Sequence, residues 1–223
     1  MENRHCAVIT GDITGFTGLS DKQREELILG TSTLIKGWVR TETLAEIFRG
    51  DSYQILIEDI DKVFYRMIQL ICWFKMKDPA KGSSPNLGSE KALGTRMSIG
   101  LGEWAYLGKS VLDSDGEAFH LSGRNFDKMD RGELIRISSS NEDLNKEFEI
   151  ILMLMSIQIQ KWTSAQAEII FRILSDPSIT QVNLAKSLGK FQPNIVSFLK
   201  SAKWKEIEKA IGYLSFRTQK WLI

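Results

Sequence analysis

Two aspartates stand where metal-assisted phosphoryl chemistry could be done. Asp12 follows the apolar run 7–9 and Gly11, at the end of an expected first strand, and Asp51 lies in the Gly-Asp tip of an expected hairpin over 49–52. Carboxylates projected from two neighbouring strand ends can hold one or two Mg²⁺ (or Mn²⁺) ions. Such ions would bridge triphosphate oxygens and lower the pKa of an attacking hydroxyl. Taken one at a time, each aspartate is equally explained by strand-end turn chemistry. A second segment carries a different chemistry: Lys190, Gln192, Asn194, Ser197, Lys200 and Lys203 crowd into fourteen residues near the end of the chain. Amides pair with adenine edges in the major groove, and lysines pair with phosphates.

The elements that must position these residues follow from periodicity and punctuation. A strand over 7–9 leads into the Thr14–Gly18 loop, and Ser20 is placed to cap a helix over 21–39. Two β-type runs, 44–48 and 53–57, flank the hairpin tip. A second helix spans 63–74, with apolar residues at helical spacing, and a Pro- and Gly-containing surface loop spans 78–94. A strand over 96–101 follows, then a hairpin partner over 104–111, a third helix over 117–129 and a last strand over 134–137. The order predicts an α+β fold whose helices cover one face of the sheet.

Residues 141–161 read as one long helix that is apolar nearly all round its middle, suited either to packing within the chain or to a dimer seam. Short helices then follow: 165–174 capped by Ser164, 181–188, 192–202 and 204–214. Gly189 supplies the turn between the second and third, and Pro193 is tolerated in a first helical turn. The spacing of Ala185, Gly189, Ile195 and Phe198 is that of a helix-turn-helix, and a helical bundle used for protein contact is the alternative. Trp204, Tyr213, Phe216 and Trp221 lie on helical spacing and read as packing residues rather than base-stacking platforms. The expected division is 1–140, a connecting helix 141–160, and 161–223.

Charge separates the same parts. Residues 161–223 carry ten basic and four acidic side chains, a formal +6 against −5 for the first 160. That asymmetry suits a polyanion partner at one end, and a solvated lysine-rich surface is the plainer alternative. With 43% hydrophobic and 26% charged residues the chain is neither collagenous nor disordered. Cys6 and Cys72, with His5 and His120, lack the spacing of a zinc site or a disulfide framework. The first residues lack a signal-peptide apolar run and no stretch is long enough to span a bilayer, so a cytoplasmic protein without membrane contact is expected.

The segments GDITGFTGLS, RGDSYQ, RMSIGLGE and DSDGEAFHLSGR, taken in order, resemble the motifs of class III nucleotidyl cyclases over about 7–129. The resemblance implies a ferredoxin-like (palm-type) sheet. It implies Asp12, Asp51 and the Ile13 backbone as metal ligands, Gly15 and Phe16 in the nucleotide loop, Asp113 as the base-reading residue and Arg124 as the transition-state arginine. His120 stands where these enzymes carry asparagine, and Ile47 where they carry a base-reading lysine or glutamate. His120 can still donate to a ribose or phosphate oxygen. Cyclases build their site across a two-fold axis, so a homodimer is implied.

The whole chain is more similar to the SatD-like family, a cyclase-like sheet followed by an all-α helix-turn-helix domain. It carries that family's Gly11-Asp12-Ile13, Gly50-Asp51-Ser52-Tyr53-Gln54, Arg96–Gly102 and Asp115–Ser122 segments, departing at Ser122 and at Ser52-Tyr53. The expectation is a DNA-binding regulatory protein whose first domain binds a metal and a nucleotide. The alternatives are an active Mg²⁺-dependent cyclase or nucleotidyltransferase acting on a nucleoside triphosphate, and a scaffold without catalysis.

Overall fold

The computed structural model describes residues 4–79 and 92–222, so most of the expected 78–94 loop lies outside the described residues. It is a mixed α+β fold. Among the described residues, six strands form one sheet: β1 (His5–Thr14), β2 (Ala45–Phe48), β3 (Ser52–Ile57), β4 (Gly94–Tyr106), β5 (Asp115–Gly116) and β6 (Ile135–Ser138). β1 is central and runs antiparallel to both β3 and β4; β2 pairs antiparallel with β3 at one edge. β6 runs parallel to β4 on the other side, and β5 pairs with the far end of β4.

Eight α-helices are seen among the described residues: α1 (Asp21–Lys36), α2 (Val63–Lys77), α3 (Glu117–Asp127), α4 (Glu142–Ile159), α5 (Ser164–Ser175), α6 (Gln181–Ser187), α7 (Gln192–Ser201) and α8 (Trp204–Leu222). Ser20 caps α1 through a capping box with Gln23. α5 is capped by Thr163 rather than Ser164, again with a reciprocal Gln166. α8 runs on to Leu222 instead of stopping near 214, because Thr218 is buried and Arg217 grips Glu147 of α4 at 2.7 Å. None of these helices is long and apolar enough to cross a membrane.

Two expectations fail. Alternate residues of β1 serve different cores. Ala7, Ile9 and Ile13 pack with residues of α1 and α2, whereas Cys6 and Val8 pack with Ala118 and Phe119 of α3. Helices therefore cover both faces, not one. Gly100 lets the α3 backbone lie directly on the strand: a Cβ there would collide with the Ala118 carbonyl and stand 2.6 Å from the Ser122 nitrogen. β4 continues to Tyr106, with a register shift between Trp104 and Tyr106 where it pairs with β5, so 104–106 belongs to the same strand and the expected hairpin partner over 104–111 does not form.

The principal core does not stop at the expected boundary near residue 160. It runs from Ala7 and Ile9 through Phe64 and Phe148, whose rings meet edge to face at 5.8 Å, to Trp162 and Trp204 and on to Leu214. Lys75 of α2 reaches into the α4–α5 turn and donates to the carbonyls of Gln160 (3.1 Å) and Trp162 (3.4 Å). A separate small cluster of Ile169, Leu184, Ala185 and Ile195 sets α5, α6 and α7 against one another.

Candidate functional site

At the end of β1 the register sets Asp12 opposite Ser52 on one side and Arg96 on the other. Both Asp12 carboxylate oxygens accept from Arg96 Nε, at 3.0 and 3.2 Å, and the guanidinium lies over the Phe126 ring of α3 at 5.0 Å. Burial pushes the Asp12 carboxyl above its ordinary value, outweighing the Arg96 guanidinium, and the nearby Asp51 charge pushes it further. The register places Asp51 next to Ser52, the cross-strand partner of Asp12, so the two aspartates lie at the same end of adjacent strands. Beneath them Thr95 Oγ1 donates to the Asp12 carbonyl at 2.7 Å and meets the buried Tyr53 hydroxyl at 2.6 Å, so the strand end is held rigidly.

The hairpin tip turns through Arg49 (φ 53°) and Gly50 (φ 85°), and the Asp51 carbonyl accepts from Ile13 N–H at 2.7 Å. In an extended residue N–H and C=O point to the same side, so the Ile13 carbonyl also faces the tip. The loop after β1 then reverses at Gly15 (φ 75°), where any Cβ would stand 2.6 Å from the Ala92 carbonyl. Phe16 follows, approaching Gly50, with Arg24 stacked over its ring at 5.6 Å and bonded to the Phe16 and Thr17 carbonyls. Asp12, Asp51, the Ile13 carbonyl, Gly15 and Phe16 therefore share one end of the sheet. Oxygen donors of this kind suit a hard divalent cation. A cation there would have to replace or share the guanidinium on Asp12. No group of three or more His, Cys, Asp or Glu side chains suited to a metal is found among the described residues.

The other cyclase-like positions do not join this cluster within one chain. Asp113 is exposed in the turn before β5, which pairs with Trp104 of β4. Eight residues of extended strand separate Arg96 from Trp104, a span of about 26 Å. His120 and Arg124 lie one turn apart on the outer side of α3, away from the sheet, both exposed, and His120 Nε2 stands 3.0 Å from an Asp115 carboxylate oxygen. Ile47 is half-buried in β2, opposite Tyr53, and packs on the principal core.

In the C-terminal segment Gln192, Asn194, Ser197 and Lys200 are exposed on α7, and Ile195 is its buried anchor. Lys203 is exposed in the following turn with a left-handed backbone (φ 55°), and Lys190 sits 5.7 Å from the centre of the Phe198 ring. Phe191, immediately before α7, is 79% exposed. Of the expected packing aromatics Trp204 is buried, but Tyr213 and Phe216 face solvent.

Arg96 and Phe126 were not foreseen. The only signal for Arg96 is its place at the start of the RMSIG strand, and pairing it with Asp12 requires the β1–β4 register. No protein-family model, curated protein or solved structure matches the chain.

Proposed function

We propose that the chain is a DNA-binding regulatory protein whose sheet end at Asp12 and Asp51 binds a divalent metal and a nucleotide without catalysing its conversion. The observation that carries the DNA reading is the surface of α7. Two amides and a hydroxyl project from an exposed helix, lysines stand at both of its ends, and the helix is set by a dedicated small core with α5 and α6 through a turn at Gly189 (φ 60°). That arrangement supports reading α6 and α7 as a helix-turn-helix. The strand order β2-β3-β1-β4, all antiparallel with α1 and α2 as the crossovers, likewise supports reading the sheet as a ferredoxin-like palm. Selection of duplexes from a random pool by the full chain tests this. The wild type enriches a defined sequence, and Gln192→Ala with Asn194→Ala binds without that preference. Equal enrichment by both proteins would remove α7 from base recognition.

Catalysis is the second reading, favoured by the proximity of Asp12 to Asp51 and the Ile13 carbonyl. Against it, His120 is engaged by Asp115, Asp113 and Arg124 do not join the aspartates within one chain, and the Ile47 side chain offers no polar atom to a base. Incubation with Mg²⁺ or Mn²⁺ and each nucleoside triphosphate decides between them. Binding without pyrophosphate release, lost in Asp12→Asn with Asp51→Asn, fits the sensor. Release that depends on both aspartates makes the chain an enzyme.

A further inference from the structure

α4 is buried on one side through Leu144, Phe148, Leu152 and Met155. On its opposite side Ile150, Met153, Leu154 and Ile157 are exposed by 57, 57, 59 and 53%. Four large aliphatic side chains at i, i+3, i+4 and i+7 make one continuous apolar stripe, the form of a helix face that meets another helix. Met153 and Ile157 also line a groove of about 730 Å³ between α4 and β6, whose outer edge has no strand partner among the described residues. The stripe thus offers both knobs and a hole.

We propose that a second copy of this chain covers that face, helix against helix, antiparallel about a two-fold axis passing between Met153 and Leu154. The stripe reads the same in either direction in size and shape: Ile, then Met-Leu, then Ile. An antiparallel copy therefore sets Ile150 on the partner's Ile157 and Met153 on the partner's Leu154, the self-complementarity an isologous contact requires. At the ends the same register sets Lys161 of each copy opposite the other's Lys146, whose ammonium already stands 3.6 Å from Asp143, so one carboxylate faces two lysines there and the apolar stripe carries the contact. An anionic lipid surface is disfavoured because the flanks lack a basic excess: Glu147 is paired with Arg217, Lys146 with Asp143, and Glu149 is exposed.

This contact is distinct from the outer side of α3 and holds whether or not the sheet binds a nucleotide. Its consequence for the C-terminal segment is geometric. Gln158 of α4 donates to the Ser201 carbonyl, and Trp162, just beyond α4, donates to the Ala202 carbonyl at 2.8 Å, so pairing α4 would fix the separation of the two α7 helices.

Sedimentation equilibrium of the full chain tests the proposal. The wild type is expected to be a dimer at about 10 µM, and Leu154→Glu, which buries a carboxylate from each copy, to weaken association by at least about a hundredfold with the circular dichroism spectrum unchanged. Cys6 and Cys72 are buried, so Leu154→Cys reports cleanly. It should form an oxidised covalent dimer, whereas Leu29→Cys, on the 71% exposed position of α1, should not. A monomeric wild type at about 100 µM, a dimer indifferent to Leu154→Glu, or equal cross-linking at both cysteine positions would overturn it. So would a monomer whose Leu154-dependent binding partner is a phospholipid vesicle.

Discussion

Asp12 is a half-buried carboxylate whose ionised form is expensive to keep, and Arg96 offsets only part of that cost. Its folded pKa lies above the ordinary 3.8, so its contribution to stability is fully present below 3.8 and is lost as pH rises through the folded value. Urea unfolding across that window should show a component falling with pH in the wild type and absent from Asp12→Asn. Identical slopes would mean that Asp12 is solvated like a surface residue. The aspartates themselves are legible in the sequence from their Gly-Asp contexts, and Gly15 from its loop. Arg96 is not, because its meeting with Asp12 depends on a pairing across more than eighty residues that no local pattern encodes.

At the scale of elements, the contact that decides the sheet's architecture is α3 lying on Gly100. Gly100→Ala forces a methyl group against the Ala118 carbonyl and the Ser122 amide in backbone that cannot swing aside. It should destabilise the chain by about 3 kcal/mol, read as a lower urea midpoint with unchanged slope. A change within about 0.5 kcal/mol would show that α3 sits loosely. α1, α2, α6 and α7 are foretold to within a few residues by apolar residues at helical spacing, with the Ser20 cap, the Gly189 turn and the first-turn Pro193 as punctuation. The 104–111 hairpin is a misreading for a physical reason: residues 104–106 continue β4, and the strand that answers them is the two-residue Asp115–Gly116, too short to leave a periodic pattern in sequence. The length of α8 is hidden likewise, since Arg217 and Thr218 are polar in sequence and become fixed only against α4 and the core.

The whole molecule joins a slightly acidic α+β part to a basic helical part through one continuous core. Lys75, Trp162 and Trp204 lie at the junction, and no flexible hinge separates the parts there. A ligand-induced shift at the sheet would reach α7 through packed side chains rather than a linker. Composition foretells the charge division but not this shared core, because Trp162 and the α4 stripe are equally apolar in sequence and only the fold buries one and exposes the other. The claim that α7 and its flanking lysines grip nucleic acid is tested most directly by fluorescence anisotropy of the full chain on a labelled duplex over a salt series. With Lys190, Lys200 and Lys203 on phosphates, log K should fall with log salt at a slope of about −2.7 per chain, and Lys200→Ala should flatten it by about 0.9. Absence of binding at about 50 mM salt, or a slope that Lys200→Ala leaves unchanged, would contradict the account.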